Sequence, residues 1–144
     1  MAISKFEFRY FLTSSIILTM TRIKTDNGGL PSPEVLGRLA VEVASDKLAS
    51  DIQMLDISEV SGFADYFVIA TVESSRQLNA LAEDLEAALE DSGAHKLRRE
   101  GSPQSGWVVV DFGDVVIHLF GSEERDYYSL EGAWPTALEV VRIQ

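Results

Sequence analysis

The sequence predicts a single α/β domain, a mixed-sheet α/β sandwich with helices packed over the sheet. Short β-branched runs alternate with two longer segments in which apolar residues recur every three or four positions. The 144 residues are enough for one buried core, and 46% hydrophobic with 24% charged residues is a globular composition. The absence of cysteine excludes disulfides, thiolate metal sites and cysteine nucleophiles.

The first predicted helix begins after Ser32, whose hydroxyl suits the cap position, with Pro33 in the first turn. Its apolar stripe consists of Leu36, Leu39, Ala40, Val43 and Ala44. Two strands follow, over residues 52–57 and 65–71, separated by turn-forming residues. The second strand is apolar enough to lie at the centre of the sheet.

A second helix is predicted from a capping box, in which the Ser74 hydroxyl and the Gln77 amide satisfy free N–H groups. Its buried face consists of Leu78, Leu81, Ala82, Leu85, Ala88 and Leu89. Gly93 is suited to ending this helix. Residues 96–100 then predict a strand at the sheet edge, where charge protects it from unwanted pairing.

Two strongly apolar runs, residues 107–112 and 115–120, flank a Gly113-Asp114 turn. This pattern predicts a β-hairpin that is covered on both faces. A short helix from about Glu123, capped by Ser122, completes the chain. The predicted order of elements is therefore α-β-β-α-β-β-β-α.

Residues 1–31 differ from the rest and are interpreted as an N-terminal extension to a domain of residues 32–144. Lys5 and Arg9 precede a short apolar stretch that lacks the cleavage pattern of a secretory signal. The plainest explanation is that Met20 is the true start, downstream of a misplaced start codon. We expect the extension to be flexible and dispensable. No apolar run reaches the roughly 18 residues of a membrane span. Without an Arg-rich transit segment, a cytoplasmic location is expected.

The charge of the chain is strongly negative, −11 overall. Residues 31–144 hold 8 Lys and Arg against 21 Asp and Glu, a net charge of −13. Such a domain repels phosphate backbones, so we expect little direct nucleic-acid contact and a basic protein surface as partner. Solubility alone is an equally good explanation of this charge.

The sequence lacks the common catalytic and ligand-binding motifs. His118 lies in a strand without the H-x-H or H-E-x-x-H spacing of a metal site, and a lone strand histidine is usually a satisfied core residue. No G-x-S-x-G elbow, phosphate-binding loop or dinucleotide fingerprint is present. Asp111 and Asp114 flank Gly113 and fit turn chemistry better than paired-carboxylate catalysis. We therefore expect no metal and no cofactor.

Residues of the types that anchor protein interfaces are concentrated near the C-terminus. They are Trp107, Arg125, Tyr127, Tyr128 and Trp134. Arg125, Tyr128 and Glu131 are spaced three residues apart and would share one face of a helix. That face serves either as an internal clamp or as a docking surface, and the spacing fits both.

Five short motifs follow one another with characteristic gaps. They are D-Y-F-V-I-A-T from Asp65, S-S-R-Q from Ser74, E-G from Glu100, W-V-V-V-D-F-G-D-V-V-I-H from Trp107 and R-x-x-Y-x-L-E-x-x-W from Arg125. This pattern resembles the ribosomal silencing factor family, also called Iojap, from about Leu36 to Trp134. Val72 stands where a glycine is common in that family, and residues 1–30 have no counterpart in the pattern.

The resemblance implies a nucleotidyltransferase-like fold that is not an active enzyme. Those enzymes carry Gly-Ser followed by Asp-x-Asp, whereas this chain has Gly62-Phe63 and Asp65-Tyr66-Phe67, so a metal-binding carboxylate is missing. The implied function is binding to the large ribosomal subunit at its fourteenth protein (uL14). Occupying that surface sterically blocks association with the small subunit and silences translation.

For this function we predict partner contacts through Trp107, Asp111, Asp114, Arg125 and Tyr128. Structural support or partner contact is predicted for Asp65, His118, Glu131 and Trp134. One alternative is a nucleotidyltransferase-like enzyme with an atypical site that uses Asp65, Asp111 and Asp114. Another is a self-associating scaffold, a homodimer in which exposed aromatic residues pair.

Overall fold

The computed structural model describes residues 30–144. The predictions for residues 1–29 of the N-terminal extension, including Met20 as the start, lie outside the described residues. The described elements are α1 (Pro33–Asp46), β1 (Ser50–Asp56), β2 (Tyr66–Val72), α2 (Ser75–Asp91), β3 (Arg98–Ser102), a 3₁₀ turn (Pro103–Ser105), β4 (Trp107–Asp111), β5 (Val115–Gly121), α3 (Ser122–Tyr128), a second 3₁₀ turn (Leu130–Ala133) and β6 (Leu138–Ile143). Within the same residues, no helix has both the length and the apolar character needed to cross a bilayer.

The strands form one mixed sheet in the order β3-β4-β5-β2-β1-β6. β2 and β5 pair in parallel at its centre, and every other neighbouring pair is antiparallel. This arrangement confirms the predicted α/β fold class and the central position of the second predicted strand. It also confirms the predicted edge strand, which is β3.

Both long helices begin at the predicted serine caps. The hydroxyl of Ser32 accepts a hydrogen bond from the Val35 N–H at 3.3 Å, and that of Ser74 accepts one from the Gln77 N–H at 3.1 Å. The Glu73 N–H donates to Gln77 Oε1 at 2.9 Å, one residue before the N–H that a capping box would satisfy. The caps therefore fix where α1 and α2 begin.

The sheet has two differently covered faces. α1 and α2 cover the helical face, where aliphatic side chains such as Val68, Val110 and Ile117 are fully buried. The opposite side, here named the aromatic face, consists of Phe63, Phe67, Trp107, Phe120 and Leu130 with Tyr128 and Trp134 packed against them. Side chains alternate between the two faces along β4 and β5, so every residue of both strands except Gly121 is buried, as their apolar composition predicts.

The hairpin of β4 and β5 closes where the sequence predicts. The Phe112 N–H donates to the Val115 carbonyl at 2.9 Å. Gly113 has a φ of 89°, a conformation that side-chain-bearing residues rarely adopt. The Gly113-Asp114 turn thus sets the register that places Trp107 opposite Phe120.

Three local predictions were wrong. No strand was predicted after the last helix, yet β6 pairs with β1 and forms the second sheet edge. Ser122 is the first residue of α3, not its cap, because Gly121 holds the cap position. α3 ends at Tyr128, because Ser129 turns to a φ of 45°, so Arg125, Tyr128 and Glu131 do not share a helix face.

Candidate functional site

Trp107 is the centre of a cluster of rings on the aromatic face. Its indole contacts two rings, with centroids 5.0 Å from Phe120 and 4.6 Å from Tyr128. β4 and β5 place Trp107 and Phe120 directly opposite each other, and α3 brings Tyr128 over them. Trp107 is only 3% exposed, so a partner reaches this part of the face through Tyr128.

His118 lies beneath the same cluster and is fully buried. The indole Nε1–H of Trp107 donates to His118 Nδ1 at 3.2 Å, which assigns the imidazole proton to Nε2. The Phe67 ring meets the imidazole edge-on at 4.5 Å. Burial lowers the pKa of His118 to about 3, so the ring is neutral near pH 7. A neutral imidazole that accepts from tryptophan fits the predicted supporting role.

The predicted site residues Asp65, Asp111 and Asp114 lie at the other end of the hairpin, around its turn. Asp111 is fully buried, accepts from the Gly113 N–H at 2.8 Å and pairs with the Arg98 guanidinium at 3.4 Å. The Asp114 carbonyl accepts from the N–H groups of Asp65 and Tyr66 at 2.8 and 3.0 Å. These contacts hold the hairpin turn against the start of β2.

Arg125 is a buried clamp between α3 and the sheet. One guanidinium nitrogen donates to the Asp51 carbonyl and to the Thr71 hydroxyl, both at 2.8 Å. The second donates to Gln53 Oε1 at 3.3 Å, and Nε donates to Glu131 at 3.4 Å. With 4% of its surface exposed, Arg125 fixes α3 and the following turn on β1 and β2.

Tyr127 and Tyr128 are the parts of the ring cluster that reach the surface. Tyr127 is 80% exposed, and its ring meets Tyr128 edge-on at 5.0 Å. Tyr128 is half-buried between Tyr127 on one side and Trp107 on the other. We name Trp107, Tyr127 and Tyr128 the aromatic patch. Glu123 and Asp126, both exposed on α3, give its rim a negative charge.

Trp134 belongs to the buried side of the same face. It follows the second 3₁₀ turn and is half-buried, with ring centroids 5.9 Å from Phe63 and 5.8 Å from Phe67. Phe67 in turn contacts His118, so Trp134 and Trp107 stand at opposite ends of one continuous set of rings. This position favours support of the face.

The structure divides the predicted site residues into three groups. One contact network contains Trp107, His118 and Tyr128, with Trp134 joined to it through Phe67. Arg125 and Glu131 form a second, and Asp65, Asp111 and Asp114 lie in a third. Trp107, Asp111 and Arg125 lie beneath the surface, so direct contacts with a partner would be made by the residues that they position. Partner contacts at these positions stay predictions.

Some residues of the site have no signal in the sequence. Asp51, Gln53 and Thr71 hold Arg125 but lie more than fifty positions away in the chain. Within residues 30–144, no three His, Cys, Asp or Glu side chains are arranged to hold a metal ion. What the site offers is an aromatic surface with an acidic rim and a rigid support.

Residues 31–144 match the family model described as ribosomal silencing factor during starvation. The chain belongs to the ribosomal silencing factor family. A relative of that name from Bacillus subtilis is 39% identical over 100 residues, which cover 69% of this chain and 85% of the relative. A mouse relative, mitochondrial assembly of ribosomal large subunit protein 1, is 31% identical over 99 residues, which cover 67% of this chain and 43% of that protein.

A solved structure shares the fold as well as the sequence. The protein CV0518 from Chromobacterium violaceum superposes with a TM-score of 0.70 at 33% identity, covering 77% of this chain and 94% of that one. This family membership confirms the resemblance that the five sequence motifs predicted.

Proposed function

We propose that this protein binds the large ribosomal subunit at uL14 and sterically blocks association with the small subunit, thereby repressing translation. Membership of the ribosomal silencing factor family supports the ribosome as target. The name of the mouse relative, which refers to assembly of the large subunit, favours the large subunit as the partner. A steric block requires a stable, well-placed domain and no chemical step.

The observation that carries this proposal is the aromatic patch. Tyr127 is 80% exposed beside Tyr128, which rests on the buried Trp107. Tyrosine and tryptophan dominate binding energy in protein interfaces, because they bury a large area while losing little conformational freedom. Arg125 and Glu131 hold α3 in place, so the patch is rigid before a partner arrives. A preformed surface of this kind lowers the entropic cost of binding.

The charge of the domain fits a basic protein surface within an anionic particle. Residues 31–144 carry a net charge of −13, and Glu123 and Asp126 flank the patch. Ribosomal RNA would repel such a domain, so landing sites other than a basic protein are disfavoured. Little direct nucleic-acid contact is expected. Charge steering also predicts that the association rate falls as salt concentration rises.

The protein acts as a binding module and not as an enzyme in this proposal. The alternative, a nucleotidyltransferase-like enzyme, would use Asp65, Asp111 and Asp114. Asp111 is buried and already engaged with Gly113 and Arg98, which supports a structural role at the turn. Calorimetry with nucleotide and Mg²⁺ separates the two functions, because an enzyme of this type would release or absorb heat on binding. The bacterial relatives favour the bacterial cytoplasm as the compartment.

A subunit-joining assay tests the proposal directly. Purified large and small subunits are mixed with saturating protein, and the joined particles are separated on a sucrose gradient. We expect fewer joined particles and co-sedimentation of the protein with large subunits. A double variant, Tyr127→Ala with Tyr128→Ala, should restore joining. Undiminished joining in the presence of the folded parent protein would refute the proposal, and binding to large subunits that lack uL14 would refute that protein as the site.

A further inference from the structure

The edge strand β6 is held to β1 by side chains as well as by its backbone. Glu139 pairs with Leu55 and Arg142 with Gln53, so both charged side chains project on the aromatic-face side of β1. The Gln53 amide donates to Glu139 Oε1 at 2.9 Å, which agrees with that side. Arg142 also donates to Glu139, at 3.3 Å. The two charges of β6 are therefore fixed by each other and by β1.

A second attachment of β6 is Asp51, whose carboxylate lies between two guanidinium groups. Arg142 contacts one carboxylate oxygen at 3.0 Å, and Arg125 of α3 contacts the other at 3.5 Å. The backbone carbonyl of Asp51 also accepts a hydrogen bond from Arg125 at 2.8 Å. One residue of β1 thus connects the edge strand to the helix that carries the aromatic patch.

Gln53 makes the same connection two residues further along β1. Its Oε1 accepts a hydrogen bond from Arg125 at 3.3 Å, while its amide nitrogen donates to Glu139 at 2.9 Å. Because the oxygen and the nitrogen of the amide each have a partner, both partners fix its orientation. Gln53 is 6% exposed, so water has little access to replace either bond.

Five side chains consequently form a closed ring of hydrogen bonds and ion pairs. In order around the ring they are Arg125, Asp51, Arg142, Glu139 and Gln53. Linked polar groups strengthen one another, so the loss of one member weakens the bonds of the others. β6 supplies two members of the ring and α3 supplies one.

The backbone of Asp51 makes the ring sensitive to such a loss. Its φ is 45°, a left-handed conformation that costs free energy in a residue with a side chain. It also lies where the register of β1 shifts, between Ser50 and Gln53. Such a conformation persists only while its surroundings hold it, and here they include Arg125 and Arg142. Without Arg142, Asp51 can relax and move the carbonyl that Arg125 binds.

We propose that β6 controls the rigidity of the aromatic patch through this ring. With β6 in place, Asp51 and Gln53 hold Arg125, and Arg125 holds α3 with Tyr127 and Tyr128. When β6 loosens, the ring opens and α3 becomes mobile on the sheet. A rigid patch binds a partner at a lower entropic cost, so β6 sets the affinity of the patch from a distance. The consequence for large-subunit binding rests on the proposed function, whereas the coupling between β6 and α3 does not.

Hydrogen exchange of backbone amides, followed by NMR on the full chain, tests the coupling without a ribosome. The amides at the end of α3, such as the Ser129 N–H bonded to the Arg125 carbonyl at 3.0 Å, report opening of the helix. The amides of β2 and β5, at the centre of the sheet, report global unfolding. The ratio of the two exchange rates separates loosening of α3 from a loss of overall stability.

We expect Arg142→Gln and Glu139→Ala each to speed exchange in α3 by at least about threefold, with little change in β2 and β5. Both substitutions remove a member of the ring that lies outside α3 and makes no contact with the aromatic patch. Energetic coupling is reciprocal, so Arg125→Lys should speed exchange in β6 relative to the centre of the sheet.

Arg38→Gln is the matched control. Arg38 is an exposed arginine beside β6 on the helical face, and it forms an ion pair with Glu34 at 3.2 Å. The substitution therefore makes the same charge change as Arg142→Gln and breaks an ion pair that lies outside the ring. It should leave the exchange rates of α3 unchanged.

Three results would overturn the proposal. One is unchanged exchange in α3 of both β6 variants. Another is equal acceleration in α3 and at the centre of the sheet, which reflects global destabilisation alone. The third is the same acceleration in Arg38→Gln, because the ring would then not be the route. Large-subunit affinity is measured separately. If α3 loosens while affinity stays at the parent value, the coupling stands and the aromatic patch fails as the binding surface.

Discussion

The indole N–H of Trp107 donates a hydrogen bond to Nδ1 of His118 across 3.2 Å, between two buried side chains on neighbouring strands. Val109 is the direct partner of His118, and Trp107 is paired with Phe120, so the bond runs diagonally across the hairpin. Two polar atoms that water cannot reach are satisfied by each other at this point. The bond thereby fixes the tilt of the indole on which Tyr128 rests.

Removing both partners of this bond should cost less than the sum of the two separate removals. Trp107→Phe leaves His118 Nδ1 without its donor, and we expect a loss of about 1–3 kcal/mol in the free energy of unfolding. His118→Leu leaves the indole N–H unsatisfied, with a similar cost. The double variant should be more stable than the sum of the two losses predicts, by about 1 kcal/mol. Urea unfolding of all four proteins measures this coupling, and strictly additive losses would contradict it.

The same burial explains why Trp107→Ala is a poor test of partner binding. Truncating a buried tryptophan commonly costs about 3–5 kcal/mol, a large share of the stability of a domain of this size. A loss of large-subunit binding by that variant could therefore reflect unfolding. Trp107→Phe keeps most of the apolar volume and is the better variant for the subunit assay.

His118 should make folding stability depend on pH. The unfolded chain takes up a proton near the ordinary pKa of 6.5, whereas burial delays protonation in the folded protein to a pKa of about 3. The contribution of the neutral, buried imidazole to the free energy of unfolding is therefore complete above pH 6.5. It falls as the pH drops towards 3, by up to about 1.4 kcal/mol per pH unit, because the unfolded chain binds the proton more readily. His118→Leu should remove this part of the pH dependence.

The exposed residue His95 provides the matched control. His95→Gln removes a histidine without removing a buried neutral ring, so its stability curve should run parallel to that of the parent between pH 4 and 7. The acidic side chains titrate in all three proteins and cancel in the comparison. If His118→Leu loses stability with falling pH as steeply as the parent, the buried imidazole is not responsible.

Elements with local chemical signals were predictable from the sequence. Ser32 and Ser74 are helix caps because a hydroxyl at that position reaches an N–H three residues later, and both bonds are present. The Gly113 turn was predictable for a similar reason, because glycine adopts positive φ without steric cost. In each case the decisive contact spans only a few residues.

Features that depend on distant residues were not predictable. β6 carries a bulge at Val140, which breaks the two-residue alternation by which a strand is recognised. The function of Arg125 as an internal clamp follows from Asp51, Gln53 and Thr71, which the chain separates from it by 54 to 74 positions. The sequence identified Arg125 as a polar anchor and could not tell that its partners are internal.

Arg125 should be far more important for stability than Arg142, although both guanidinium groups contact Asp51. Arg125→Lys cannot reproduce the planar set of bonds to Asp51, Thr71 and Gln53, so we expect a loss of about 2–3 kcal/mol in the free energy of unfolding. Arg142→Lys affects a side chain that is 40% exposed and should cost no more than about 0.5 kcal/mol. Equal losses in chemical unfolding would contradict the clamp.

Tyr127 offers a way to separate partner binding from folding. Its ring is 80% exposed and touches the domain mainly through the edge of Tyr128, so Tyr127→Ala should change the free energy of unfolding by no more than about 0.5 kcal/mol. If the aromatic patch meets the large subunit, the same change removes an anchor at the interface. We then expect affinity for isolated large subunits to fall at least about tenfold.

Leu48 is the matched control for this prediction, because it is 83% exposed and lies in the connection between α1 and β1, outside α3 and the aromatic patch. Leu48→Ala should leave large-subunit binding unchanged. Co-sedimentation over a range of protein concentrations measures both variants beside the parent. Equal affinity of Tyr127→Ala and the parent would place the binding surface elsewhere, whereas loss of binding by Leu48→Ala would point to the far end of α1. A selective loss in Tyr127→Ala, with normal unfolding, is the result that the aromatic patch requires.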